Sequence, residues 1–195
     1  MAQKNKTEEE MGKKKLENSA FIYPMTMVLI GAEVDGKPNF MAAAWATRVN
    51  YQPAMVGVAL GSHYTNKGIE DHKMFSVNIP GIDIMAKVDH CGIKSGAKAD
   101  KSKIFKTYDG ELAHAPMIED CPVSMQCKLV KTVPLGVDTL YIGEIAGVYS
   151  EDRFLVNGQP DVEKVRPFML TMPDNKYWTL GKQIGSAWKS GLEIK

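Results

Sequence analysis

The chain of 195 residues is 44% hydrophobic and balances 24 basic against 23 acidic residues, for a net charge of +1. That is length enough for one domain with a substantial core, and a field too weak to gather a polyanion or an acidic membrane, so no nucleic-acid partner is expected. No apolar run approaches the length of a bilayer span, and MAQKNKTEEEMGKKKLENSA lacks the apolar centre of a secretory signal, so a cytoplasmic protein without a membrane partner is expected.

In chain order, residues 1–18 are rich in Lys and Glu and read as a mobile polar tail; residues 19–195 read as a single domain. FIYPMTMVLIG, from Phe21, reads as a strand. Asp35-Gly36 follows as a tight hairpin turn, and a second strand is expected from Asn39 to Val49. Tyr51-Gln52-Pro53 interrupts the pattern, after which AMVGVAL is short, apolar and β-branched enough for a buried strand. Thr65 to His72 has no apolar alternation, and Thr or Asn can cap its start, so one or two helical turns are expected before the strand MFSVNIP.

Pro80-Gly81 ends that strand, and two helices are expected over residues 82–107, IDIMAKVDHCG and DKSKIFKTY, with a loop from Ile93 to Lys98 between them. PVSMQCKLVKTV and DTLYIGEIAGVYS form a predicted hairpin around Pro134-Leu135-Gly136. Beyond Arg153 come a turn at Asn157-Gly158, a short helical DVEKVRP ended by Pro167, and an aromatic, glycine-rich final segment. Strands dominate and strict βαβ alternation is scarce, so the expected class is mainly β, or α+β: an antiparallel barrel with helical insertions. Met25, Met27 and Met41 are expected in its core.

Three cysteines and four histidines stand at spacings that match no zinc template, so no structural metal is expected. His90 and Cys91 are adjacent and point apart on a helix or strand, which argues for a packing cysteine over a nucleophile. No catalytic triad or carboxylate pair is visible, and no catalytic residue is assigned. The polar run Ser62-His63-Tyr64-Thr65-Asn66-Lys67 follows an apolar strand directly, and it offers hydroxyls, a helix N-terminus and a cation for a phosphate-bearing ligand; an ordinary Ser/Thr helix cap is the plainer reading. Lys67 or the distant Lys101 could neutralise the anion. Ala43-Ala44-Trp45-Ala46-Thr47 combines small residues with one aromatic, suiting either a flat ring or a core.

The ordered set KPNFM, AAWAT, QPAMVGVAL, HYTNK, FSVNIP, DHCGIKSG, Asp100-Lys101, ELAHAPMIEDCP, YIGEI and DVEKVRP, spread from about Tyr23 to about Trp188, resembles the flavin-reductase-like family of FMN-binding split barrels, its flavoredoxin type in particular. The resemblance implies a Greek-key split β-barrel that forms a homodimer and binds FMN noncovalently near the dimer interface. Positions matching Asn39, Trp45, Thr65 and Lys101 belong to the family's FMN site, and Ala46, Thr47, Ser62, Tyr64 and Ser95 complete the candidate set. Trp178 and Trp188 are candidates for dimer anchors or for closing the core. Two positions depart from the pattern: Asp138 stands where a histidine is aligned, and Leu170 where a phenylalanine is. An anionic Asp138 near the ring would lower the flavin's potential.

Implied chemistry is the passage of reducing equivalents through the flavin, which itself accepts the hydride, so a missing general base does not argue against an enzyme. Two readings follow. One is an NAD(P)H-dependent flavin reductase; the other is an electron carrier served by a protein donor. A third, from another class, is a small-barrel binding module without redox chemistry, whose expected basic stripe the balanced charge does not supply.

Overall fold

Tight turns and alternating strands set the architecture, which a computed structural model describes for residues 12–18, 20–192 and 194. Residues 1–11 of the expected tail lie outside the described residues; residues 13–17 have no regular secondary structure and are exposed. Among the described residues the strands run β1 (Met25–Thr26), β2 (Val28–Val34), β3 (Lys37–Ala43), β4 (Ala46–Asn50), β5 (Met55–Leu60), β6 (Met74–Ile79), β7 (Thr107–Tyr108), β8 (Met117–Ile118), β9 (Val123–Leu135), β10 (Asp138–Ser150), β11 (Leu155–Val156), β12 (Gln159–Pro160), β13 (Phe168–Thr171) and β14 (Lys176–Thr179). Among the described residues the α-helices are α1 (Tyr64–His72), α2 (Met85–Ile93) and α3 (Val162–Val165). No helix among the described residues is long and apolar enough to cross a membrane.

Seven strands form one antiparallel sheet in the order β3-β2-β6-β9-β10-β5-β4. Its two edge strands, β3 and β4, are consecutive in the chain, so the sheet rolls up at the Ala44-Trp45 corner that joins them. Here the structure corrects the single strand expected from Asn39 to Val49. The Trp45 carbonyl accepts from the Ala59 N–H at 2.9 Å, which turns the chain away from β2 and onto β5. The first expected strand is divided likewise. Met25–Thr26 pairs with β13, the Met27 N–H donates to the Phe168 carbonyl, and only from Val28 does the chain enter the main sheet.

The Asp35-Gly36 turn is as expected: both residues have positive φ (52° and 72°), the two-residue turn whose twist matches the flanking strands. The β9–β10 hairpin also forms, with Pro134 and Leu135 inside the strand and Gly136 (φ 87°) at the turn. At Asn157-Gly158 the chain turns between β11 and β12, and Asp161 caps α3 by accepting from the Glu163 and Lys164 N–H groups.

Period-two alternation separates two cores. Val28, Ile30 and Ala32 of β2 face the barrel interior with Met41, Val58, Phe75, Cys127 and Tyr141, and Ile69 of α1 closes that layer. Met27, Leu29 and Phe40 face outward against Val88 and Cys91 of α2, Phe105, Ile118 and Phe168. β2 is thus buried on both sides, which is why VLIGAEV reads as nearly continuous apolar sequence. Met25, Met27 and Met41 are buried as expected. All three cysteines are buried and free.

The second helix expected, DKSKIFKTY, does not form: residues 101–105 make turns and β7 takes Thr107–Tyr108. Asp100 accepts from both the N–H and the hydroxyl of Ser102, a local bond that competes with helical pairing. Lys101 is drawn inward and Phe105 is buried in the outer core, fixing the segment as a loop pinned at two points.

Candidate functional site

β3 runs from the Asp35-Gly36 turn towards the corner, and α1 begins where β5 ends, so the start of α1 lies across β3 from the loop that follows α2. The resulting cleft, of about 140 Å³, is lined by Met41, Ala42, His63, Tyr64, Thr65, Ser95, Gly96 and Lys101, among others. Asn39 stands beneath it. Its Nδ2 donates to Thr65 Oγ1 at 2.7 Å, both side chains being buried, and this ties β3 to the first turn of α1.

Lys101 is the decisive group. It is 4% exposed, and its Nζ donates to the backbone carbonyls of Phe40 (2.9 Å) and Cys91 (2.8 Å). Among the described residues no carboxylate pairs with it, whereas Lys37 takes Asp100, Lys67 takes Asp35 and Lys87 takes Asp120. A buried ammonium without a counter-ion is costly, and burial accordingly pushes the Lys101 pKa down, partly offset by the nearby Cys91 thiol. The same burial pushes the Cys91 thiol up, opposed by Lys101.

Start geometry of α1 points the same way. Its N-cap is His63, whose side chain makes no capping bond; Thr65 and Asn66 lie inside the helix, and Thr65 spends its hydroxyl on Asn39. The ordinary Ser/Thr cap is therefore absent, and the first-turn N–H groups lack the side-chain acceptor that such a cap supplies. Helix dipole and buried cation act together: the cleft is a place where negative charge is stabilised. Burial and then Lys101 hold the His63 pKa down, against an opposing pull from Asp138.

Beyond the corner lies an open apolar groove of about 810 Å³, lined by Phe21, Ala44, Trp45, Ala46, Thr47, Ala59 and Leu140, among others. Trp45 is 44% exposed and stands 6.4 Å, centroid to centroid, from Phe21. It is not a core aromatic. Both cleft and groove are bordered by the same two segments, β3 running into its corner and β5 running into His63.

Of the nine candidates, Asn39, Tyr64, Thr65, Ser95 and Lys101 gather at the cleft and the depression beside it, and Trp45, Ala46 and Thr47 gather in the groove. Ser62 is exposed and lines neither. Tyr64 turns its hydroxyl to Asp35 (2.6 Å), and Ser95 Oγ accepts from the Ala97 N–H (3.3 Å). Lys67 is spent on Asp35 at the surface, which leaves Lys101 as the cation of the cleft.

Gly96 was not singled out by sequence. A Cβ there would stand 2.2 Å from Asn39 Oδ1 and 2.8 Å from Tyr64 Cδ1, so only glycine lets the loop close over these residues. The signal available was the Ser-Gly pair in a loop between two charged stretches. Of the two departures, Asp138 lies beside the loop into α1, its Oδ1 3.5 Å from where a Gly61 Cβ would be. Leu170 sits on β13, packed against the outer core, and lines neither cleft nor groove.

Residues 20–164 match the flavin reductase like domain. The chain belongs to the flavin-reductase-like family. A protein of uncharacterised function from Archaeoglobus fulgidus is 36% identical over 145 residues, 73% of this chain and 81% of that one. Among solved structures, flavoredoxin from Methanosarcina acetivorans superposes with a TM-score of 0.92 at 46% identity, covering 94% of this chain and 99% of that one. Flavoredoxin of Desulfovibrio vulgaris (Miyazaki F) gives 0.85 at 32%, covering 92% and 99%. The expected split-barrel fold is thus the fold observed. Family membership makes a flavin the cofactor against which the site is judged, and the donor set fits one: an uncompensated buried cation and an open helix start for an anionic end, and a half-exposed indole with small neighbours for a ring.

Proposed function

We propose that this protein is an FMN-binding oxidoreductase of the flavin reductase and flavoredoxin type, working as a homodimer and passing reducing equivalents from NAD(P)H or a protein donor. Lys101 carries this reading: a buried ammonium that meets two carbonyls and, among the described residues, no carboxylate would be stabilised by an anionic group bound in the cleft. Bound FMN would supply the hydride- and electron-accepting chemistry of its ring. Lys101 and the α1 N-terminus would hold its phosphate, with Asn39 fixing Thr65 at the first turn of α1. Trp45, Ala46 and Thr47 would give the ring a wall that keeps water from one side. The groove is open to solvent over its far side, and a second copy of the chain would cover it; exposed Trp178 and Trp188 are candidates for that contact.

Within this reading the likeness to two flavoredoxins at 46% and 32% identity favours a carrier served by a protein over a reductase that turns over NAD(P)H itself. The first experiment is the visible spectrum of washed protein, with identification of the chromophore released on denaturation. FMN is the expected product. Colourless protein that fails to bind added FMN sinks the proposal. With flavin present, NADH and NADPH oxidation at turnover rates would identify the reductase, and slow oxidation the carrier.

A further inference from the structure

Farther along α1 from the cleft stands a second constellation, in which Glu33 of β2, His72 at the C-terminal end of α1 and His114 in the loop before β8 converge. Each offers one ligating atom, and the three atoms lie within 4.8 Å of one another. Glu33 Oε1 is 3.1 Å from His114 Nδ1 and 3.9 Å from His72 Nε2. The two imidazoles are stacked, 4.0 Å between centroids and 14° from parallel. No spacing in the sequence announces this group, because its members come from a strand, a helix and a loop about 40 residues apart in turn.

We propose that Glu33, His72 and His114 bind one divalent first-row transition-metal ion of the zinc class. Ligating atoms about 2.0–2.1 Å from a tetrahedral ion stand about 3.3 Å apart. The 3.1 and 3.9 Å from Glu33 to the two imidazoles bracket that separation, and turning the stacked rings out of parallel about their side-chain torsions brings both in-plane nitrogen lone pairs to one ion. Two imidazoles and one carboxylate are a borderline nitrogen and oxygen set, suited to zinc, cobalt or nickel and unsuited to calcium or magnesium. The ion takes the place of the hydrogen bond between Glu33 and His114, and a fourth position stays open to water.

Preorganisation of the backbone separates this group from a chance surface pair. Gly68 of α1 lets the helix touch β2: a Cβ there would be 2.2 Å from the Glu33 carbonyl oxygen. His72 is four residues on, on the same helix face, and so falls over the Glu33 side chain. Lys73 ends the helix in the left-handed region, and its carbonyl accepts from the Leu129 N–H at 2.8 Å. On the loop side, buried Gln126 accepts from the Leu112 N–H and donates to the carbonyls of Leu112 and Ala115, which holds the chain on both sides of His114. The Glu33 N–H donates to the His114 carbonyl at 3.1 Å. The backbones of all three ligands are therefore set before any ion arrives, and side-chain exposures of 29%, 28% and 41% leave room for the side chains to turn and an ion to enter.

The test is calorimetric titration of chelator-treated full-length protein with zinc chloride, alongside its thermal unfolding. Zinc is redox-silent and leaves any flavin absorbance readable. One zinc per chain and a raised Tm are expected. His72→Ala and His114→Ala should each weaken binding at least about 10-fold, since losing a ligand costs no less than losing one of its supporting partners. His90→Ala, on an exposed turn of α2, should bind as the wild type does. Should an alanine variant fail to fold by circular dichroism, Glu33→Gln, which keeps the side chain's size, takes its place. Wild-type protein that takes up no zinc overturns the proposal, as does zinc bound equally well by the His72, His114 and Glu33 variants.

Discussion

Replacing Lys101 by Met keeps an unbranched side chain one atom shorter and removes its charge, which separates two roles that the structure gives to one residue. In the cofactor-free protein the ammonium makes two bonds to carbonyls, worth about 1.5–3 kcal/mol each at most, and against them stands a desolvation cost of several kcal/mol. These nearly offset each other, so the stability of Lys101→Met should stay within about 2 kcal/mol of the wild type. With a phosphate in the cleft the balance changes, because the ion then has a counter-charge; losing that charge-assisted bond should cost about 2–3 kcal/mol, or about 30- to 150-fold in Kd. The assay is quenching of flavin fluorescence on titration with the cofactor-free protein, using FMN and riboflavin in parallel. FMN affinity should fall while riboflavin affinity, without a phosphate to lose, should not. An equal loss for both flavins, or for neither, would refute the reasoning. The sign with pH also follows. A depressed lysine pKa means that the unfolded chain binds more protons between the two values, so the penalty is full below the folded pKa and relieved as pH rises to the ordinary lysine range. Any stability advantage of the variant should therefore shrink at alkaline pH.

Two further outcomes follow from packing. Gly68→Ala would raise helix propensity by about 1 kcal/mol on an exposed helix, yet its Cβ would meet the Glu33 carbonyl, so a net loss of about 1–3 kcal/mol and a lower Tm are expected; an unchanged or higher Tm would show that α1 can lift off β2 freely. Burial pushes the Cys127 thiol up to about 12 and also raises Cys91 and Cys121, so a chromogenic disulfide reagent at pH 8 should leave all three unmodified in the native protein and label three after denaturation. Rapid native labelling would contradict the packing of both cores.

Local signals in the sequence were reliable where the decision was local. Asp35-Gly36 can only be a tight turn, and the alternation in DTLYIGEIAGVYS has one buried face to serve, so both hairpins were legible. Long-range pairing was not. Nothing near Trp45 says that its carbonyl is claimed by Ala59, and so the corner that splits one expected strand in two was hidden. DKSKIFKTY has helix-forming residues, but Lys101 is drawn to carbonyls of β3 and α2 and Phe105 to the outer core, tertiary demands that override local preference. At the site, hydroxyl and lysine types were readable as chemistry, whereas the choice of Lys101 over Lys67 depended on which one finds an aspartate. The polar run suggested a cap, and geometry assigned Thr65 to Asn39 instead, 26 positions away.

One face of α1 carries Thr65, Gly68, Ile69 and His72, spaced three, four and seven residues from the first. Thr65 serves the cleft, Gly68 and Ile69 seat the helix on the barrel, and His72 serves the opposite end. Substitution at the exposed Asp71 leaves this register alone, whereas Lys67 answers Asp35 and Glu70 accepts from the hydroxyl of buried Tyr141 at 2.6 Å. A single inserted or deleted residue does not, because it turns everything downstream by about 100° and points His72 away from Glu33. This helix is therefore frozen in length, and two chemically unrelated places on the protein are inherited together through the count of residues between them.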